Sequence, residues 1–168
     1  MEKLNVAERE QRGMDNFKRG YNCAQSVVLA FADVYGLSDE MALRVAASFG
    51  AGIGRMRLTC GGANGMFLLA GLENGSVIAG DLKGRGDNYQ FVQELAARFK
   101  QEAGSLICAE LLGLKPGLKE GTMPGERTAE YYRKRPCVGM VGLGCRIYAE
   151  MLNERHGYVE NDSNDLSK

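Results

Sequence analysis

The sequence predicts an all-α fold, a single compact multi-helix bundle with a glycine-rich turn and long irregular loops. Three observations predict it. Apolar residues recur at helical rather than alternating spacing along most of the chain. Asparagine, serine and glycine punctuate those runs where helix caps belong. No segment shows the alternation of a half-buried strand. At 168 residues, 45% hydrophobic and 25% charged, the chain suits one domain around one core. That domain is expected over residues 1–156, with 157–168 a disordered polar tail.

The first helix is read over Glu2 to Lys18, with Leu4, Val6, Ala7, Met14 and Phe17 as its apolar positions and Gly20 as its end. Asn22 is then an N-cap, and Gln25 at the third helical position completes a capping box. This second helix is expected to reach Tyr35 and stop at Gly36. Ser38 caps a third, in which Met41, Val45, Ala46 and Phe49 fall at helical spacing. Gly50 to Gly65 holds six glycines in sixteen residues, so backbone conformation or close approach matters there more than side-chain packing. Met66 to Leu72 reads as a buried helix, and Asn74 to Asp87 as irregular chain with a short turn at Val77–Ala79.

Tyr89 to Glu102 is amphipathic, with Val92, Leu95, Ala96 and Phe99 on one face. Gly104-Ser105 breaks it and recaps a segment from Leu106 to Leu112. Lys115 to Thr128 is expected to be a long loop. The last helix begins near Pro136, a residue favoured at the first helical position, and runs to about Arg155.

Charge excludes some functions. Lysine and arginine together number 21, as do aspartate and glutamate, so no bulk attraction to nucleic acid or anionic membrane is expected. Tryptophan is absent and aromatic content is low, which disfavours a base-stacking surface. No stretch approaches the roughly 18 apolar residues of a membrane span. The charged N-terminus lacks a secretory pattern, so a cytoplasmic setting with reduced thiols is expected.

The cysteines carry the chemistry. Cys23, Cys60, Cys108 and Cys137 each fall at the start of an expected helix, where partial positive charge and unpaired amides stabilise a thiolate. Their spacings are 37, 48 and 29 residues, and no Cys-x-x-Cys occurs. A zinc ribbon, a thioredoxin-type motif and c-type haem attachment are therefore not expected. A shared site has to be assembled in three dimensions, and four thiolates suit an iron–sulfur or tetrahedral zinc centre. Gly61 and Gly62 would let backbone amides approach such a cofactor. Arg55, Arg57, Arg133, Lys134 and Arg135 lie near Cys60 or Cys137 in sequence and would offset thiolate charge. Cys145, eight residues beyond Cys137 on the same helix, is about 12 Å away along the axis and reads as a buried hydrophobe. Gly50-x-Gly52-x-Gly54 follows a helix rather than a strand, so a phosphate-binding turn is not expected. His156 is the single histidine and reads as an exposed residue near a helix end.

Gly20-Tyr21-Asn22-Cys23-Ala24-Gln25-Ser26-Val27, then Phe49-Gly50-Ala51-Gly52-Ile53-Gly54-Arg55-Met56 leading into Cys60-Gly61-Gly62-Ala63-Asn64-Gly65, resembles the C_GCAxxG_C_C family of redox-active proteins. Cys108 in Cys108-Ala109-Glu110-Leu111-Leu112-Gly113, and Cys137 followed by Val138 and Val141, fit the same pattern. Gly62 stands where the family usually has alanine, which suggests a looser turn after Cys60. The resemblance implies a redox role and a four-cysteine site that excludes Cys145. A similar cysteine module in split-Soret cytochromes is associated with an iron–sulfur centre, which implies Cys23, Cys60, Cys108 and Cys137 as ligands here, without haem.

The leading expectation is an iron–sulfur protein for electron transfer or redox sensing. A second is a thiol–disulfide oxidoreductase with Cys60, exposed in the glycine-rich turn, as the attacking thiolate. A third is a non-catalytic helical protein with structural zinc or buried cysteines. The expected partner is a redox protein, and surplus apolar helix surface points to a homodimer.

Overall fold

Asn5 rather than Glu2 opens the first helix. Its side chain accepts a hydrogen bond from the Glu8 amide, and α1 spans Val6–Lys18. An asparagine cap satisfies one of the first-turn amides that a helix leaves unpaired, so the residues before it depart from the helix. Leu4 is still buried, because Asn153 clamps its backbone from both sides. The Leu4 amide donates to Asn153 Oδ1 at 2.8 Å, and Asn153 Nδ2 donates to the Leu4 carbonyl at 2.9 Å. The computed structural model that shows these contacts describes residues 1–115, 117 and 121–158. The expected tail from 159 onward lies outside the described residues, as do positions 116 and 118–120 of the expected loop.

The capping box at Asn22 and Gln25 is formed, and α2 spans Cys23–Leu29. It ends earlier than expected. From Ala30 the backbone bonds tighten to three-residue steps, Ala30 to Val27, Phe31 to Val28 and Ala32 to Leu29. Gly36, at φ 62°, completes the exit by letting the Leu37 amide reach the Ala32 carbonyl at 2.9 Å. Ser38 caps α3 (Asp39–Ala46) through the Met41 amide. The buried face of α3 is Ala42 and Ala46, whereas Met41 and Val45 are exposed. Two alanines four residues apart let α3 lie close on α2, and larger side chains on that face would hold it away.

Two helices start earlier than the sequence suggests. α4 spans Gly61–Asn74, so the glycines after Cys60 are helical rather than part of a turn. α5 spans Leu82–Ala103, because Asp81 accepts from the Gly84 amide and is itself held by the Ser76 hydroxyl at 2.6 Å. Its core residues are Phe91, Leu95 and Phe99, so Phe91 takes the place expected of Val92. α6 is one turn, Cys108–Leu111. A further helix, α7 (Ala129–Lys134), is capped by Thr128. α8 spans Cys137–Arg155, with Pro136 at its N-cap instead of its first helical position.

α8 lies at the centre, packed on α1, α2, α4 and α5. Val141, Ile147, Tyr148 and Leu152 fill its core faces. Burial of side chains of this size contributes about 1.5–3 kcal/mol each. The α4–α8 crossing is held tight by glycine. A Cβ on Gly62 would fall 2.6 Å from the Met140 carbonyl oxygen, and one on Gly144 would fall 2.7 Å from the Gly62 carbonyl oxygen. The turn after Cys60 is therefore not loosened by Gly62. Glycine there permits a backbone-to-backbone contact that brings the starts of α4 and α8 together. The described residues form no sheet, and none of their helices is long and apolar enough to cross a membrane.

Candidate functional site

The segment between Phe49 and Cys60 has an unusual backbone. Ala51, Gly52, Ile53, Gly54 and Arg55 all have φ between 54° and 73°, and Arg57 has φ 60°. A left-handed conformation costs an L-residue roughly 1–2 kcal/mol, so four non-glycine residues hold it only because the surroundings impose it. Three hydrogen bonds do so: Gly54 amide to Ser48 carbonyl at 2.8 Å, Met56 to Ile53 at 3.0 Å, and Leu58 to Gly52 at 3.0 Å. The left-handed turn delivers Thr59 to an isolated antiparallel bridge with Ile107. Around that bridge the Cys60 amide donates to the Leu106 carbonyl at 2.7 Å and the Cys108 amide to the Leu58 carbonyl at 2.6 Å. Two cysteines distant in sequence are fixed beside each other by main chain alone.

The other two cysteines meet through helix starts. Cys23 is the first residue of α2 and Cys137 the first of α8. No disulfide joins any of the five cysteines. The Cys23 and Cys137 thiols act on each other's ionisation, so they titrate as a pair. Cys137 is pulled down to about 7, first by the hydrogen bond from Cys23 and then, against its burial, by the guanidinium groups of Arg135, Arg57 and Arg127. Cys23 is pushed well above the ordinary thiol range by that same hydrogen bond, by burial and by the charges of Cys137, Cys60 and Cys108. The neighbouring guanidinium groups favour the thiolate at Cys137 over Cys23.

Cys60 does not sit as expected. It is buried at 6% exposure in the N-cap position of α4, and burial pushes its thiol up to about 12. The Gly62 and Ala63 amides favour its thiolate but only partly offset that burial. Cys60 belongs to the hydrophobic core instead of facing solvent. Cys108, also buried, accepts a long hydrogen bond from Arg57 Nη1 at 3.8 Å.

All four helix-start cysteines therefore converge closely enough for their charges to act on one another. Cys145 stands apart. It is fully buried and its sulfur faces Gly13, on the α1–α8 interface, as its reading as a packing residue anticipated. His156 ends α8 and meets Glu73 at 2.9 Å, away from the thiols. Gly61 packs against Cys23, where a Cβ would fall 2.6 Å from the cysteine Cβ, and Gly62 packs on Met140 while turning its amide to Cys60.

A cavity of about 480 Å³ opens at Cys23, bounded by the left-handed turn on one side and the approach to α7 on the other. Arg55, Arg57, Arg127 and Arg135 line it. Arg127 is held by the Phe17 carbonyl at 2.6 Å and the Tyr21 carbonyl at 2.8 Å, and stacks over the Phe17 ring. Arg135 lies over the Tyr131 ring. Of the basic residues singled out from sequence, Arg57 and Arg135 act on Cys137, whereas Arg133 and Lys134 are exposed and Lys134 pairs with Glu130. Arg127 carried no sequence signal as a site residue, because the chain between Gly113 and Thr128 has no periodicity to place it. Tyr131, which reads from sequence as solvated surface beside Arg133-Lys134-Arg135, lines the cavity.

Four soft thiols surrounded by guanidinium groups suit an iron–sulfur or zinc centre in donor chemistry. In spacing they are not drawn into such a centre: among the described residues, no three Cys, His, Asp or Glu side chains form a group able to hold a metal ion.

No curated protein and no solved structure matches this chain. A family profile described as "Putative redox-active protein (C_GCAxxG_C_C)" matches residues 21–151, a span that contains all four convergent cysteines, the left-handed turn and the start of α8. The chain belongs to the C_GCAxxG_C_C family of redox-active proteins.

Proposed function

We propose that this is a thiol-based redox protein in which Cys23 and Cys137 cycle between dithiol and disulfide. The observation that carries this reading is that Cys23 and Cys137, the first residues of α2 and α8, act on each other's ionisation in front of three arginines. Oxidation joins the two sulfurs, releases the one proton held by Cys23 and passes two electrons to an acceptor. A thiolate poised near neutral pH is the reactive form for such exchange. Cys137 takes the role first assigned to Cys60, which is buried with its thiol held protonated. Cys60 and Cys108 stand beside the pair, held next to each other by the main-chain bonds around the Thr59–Ile107 bridge.

A second reading is favoured by the mutual influence of all four thiols. In it, Cys23, Cys60, Cys108 and Cys137 ligate an iron–sulfur cluster for electron transfer or redox sensing, with zinc as the alternative metal. Ligation requires the two pairs to draw together on loading, and the cluster would supply one-electron chemistry. The Gly61 and Gly62 amides and the nearby guanidinium groups would offset its charge.

Anaerobic purification, metal and acid-labile sulfide analysis, and peptide mapping after redox titration separate these readings. Metal-free protein that forms a reversible Cys23–Cys137 disulfide supports the first. Stoichiometric iron and sulfide lost on substitution of any of the four supports the second.

A further inference from the structure

The cavity at Cys23 combines a reactive sulfur with a one-sided charge. The chain as a whole balances 21 basic against 21 acidic residues, yet the described residues that line this cavity include four arginines and no aspartate or glutamate. Arg127 is fixed from behind by two main-chain carbonyls, and Arg135 is stacked on Tyr131, so both guanidinium groups are held in place without a carboxylate partner among the described ion pairs. A volume of about 480 Å³ is that of a small-molecule site. Aromatic rings of Phe17 and Tyr131 in the wall give it an apolar component beside the charge.

We propose that this cavity binds a low-molecular-weight thiol or disulfide carrying two or more carboxylates, which forms a mixed disulfide with Cys23. The proposal rests on the Cys23–Cys137 redox reading given above. Guanidinium groups pair with carboxylates through two parallel hydrogen bonds, and Arg127 and Arg135 offer two separate anchor points. Cys23, not Cys137, lines the cavity, so Cys23 is the sulfur that a bound ligand reaches.

The exchange balances as follows. Starting from the protein disulfide, the thiolate of one bound ligand attacks Cys23 Sγ. The Cys23–Cys137 bond breaks and Cys137 leaves as a thiolate, its charge offset by the guanidinium groups of Arg135, Arg57 and Arg127. A second ligand thiolate attacks the sulfur of the ligand held on Cys23, and Cys23 departs and takes a proton. Two ligand thiols are oxidised to one ligand disulfide and the protein disulfide is reduced to the dithiol. The reverse sequence reduces a ligand disulfide: Cys23 passes its proton to Cys137 as it attacks the ligand sulfur, and Cys137 gives that proton to solvent before it closes the protein disulfide.

The test uses the full-length reduced protein and three disulfides of different charge: glutathione disulfide (anionic), 2-hydroxyethyl disulfide (neutral) and cystamine (cationic). Mixed-disulfide formation at Cys23 is followed by mass spectrometry at low salt. Glutathione disulfide is expected to react at least about tenfold faster than cystamine. The ratio is expected to fall to about twofold or less in Arg135→Gln and at high salt, and to survive in Arg135→Lys. S-methylglutathione, which has no thiol to exchange, is expected to protect Cys23 from alkylation in the parent protein and not in Arg135→Gln. Equal or faster reaction with cystamine, in protein that still forms the Cys23–Cys137 disulfide, overturns the ligand class and leaves the redox reading standing. Absence of that disulfide at every potential overturns the redox reading, and the mixed-disulfide proposal falls with it.

Discussion

Gly61 and Cys23 are in direct backbone-to-side-chain contact: a Cβ placed on Gly61 would lie 2.6 Å from the Cys23 Cβ and 3.1 Å from the Ala24 amide nitrogen. The start of α4 is thereby seated on the start of α2, which sets where Cys23 stands relative to Cys60. Gly61→Ala is expected to push these helix starts apart, destabilise the protein by about 1–3 kcal/mol and slow Cys23–Cys137 disulfide formation. Urea unfolding and peptide mapping read the two effects. Unchanged stability together with unchanged oxidation would show that the contact does not position the thiol.

The thiols are expected to separate by pH. Alkylation of Cys137 by iodoacetamide should follow a midpoint near 7, while Cys60 stays protected until far above it. The linked stability has opposite signs at the two sites. The folded state lowers the Cys137 value, so its contribution is complete above the unfolded thiol range and is lost as pH falls through about 7. It raises the Cys60 value, so that contribution is complete below the unfolded range and is lost as pH rises towards about 12. Arg135→Gln should move the Cys137 midpoint upward, since it removes the first of the nearby cations. A midpoint that stays put in that variant contradicts the electrostatic account.

Cys145 is expected to matter for packing alone. A Cβ on Gly13 would fall 2.3 Å from its sulfur but 3.4 Å from its Cβ. Gly13→Ala should therefore destabilise the protein, and adding Cys145→Ala should recover part of the loss, with a coupling of about 1–2 kcal/mol. Cys145→Ala alone should leave oxidation of Cys23 and Cys137 unchanged. Additive unfolding energies in the double-mutant cycle would remove the basis for this assignment.

The left-handed turn carries strain that a single substitution can release. Ala51 has φ 54° and a small side chain, so Ala51→Gly loses little packing. It is expected to stabilise the protein by about 0.5–1 kcal/mol, the steric relief outweighing the added freedom of glycine in the unfolded chain. A loss of stability in calorimetric unfolding would place the strain elsewhere.

The parts of this structure that were legible in sequence are those decided by local hydrogen bonding. The Asn22–Gln25 box and the Ser38 cap declare themselves because their side chains serve amides three residues on. The same logic put Cys23 and Cys137 at helix starts. The parts that were not legible are decided by contacts between distant segments. Gly61 and Gly62 read as a turn in isolation and become helical because Cys23 and Met140 occupy the space their side chains would need. Gly84 and Gly86 hide the start of α5, which Asp81 and Ser76 fix from outside the helix. Cys60 lies among glycines that suggest exposure, and the core packing that buries it has no local sequence signature. Arg127 reaches the site from a segment without periodicity.

The central claim is that Cys23 and Cys137 form the redox couple of a four-cysteine site. Its most direct test is a redox titration of the anaerobically purified protein, with each disulfide located by mass spectrometry of peptides and the metal content of the same samples measured. The account predicts metal-free protein in which a reversible Cys23–Cys137 disulfide appears first, before Cys60 and Cys108 are oxidised. A disulfide that involves Cys60 first, or four cysteines that resist oxidation while stoichiometric iron or zinc is bound, would contradict it.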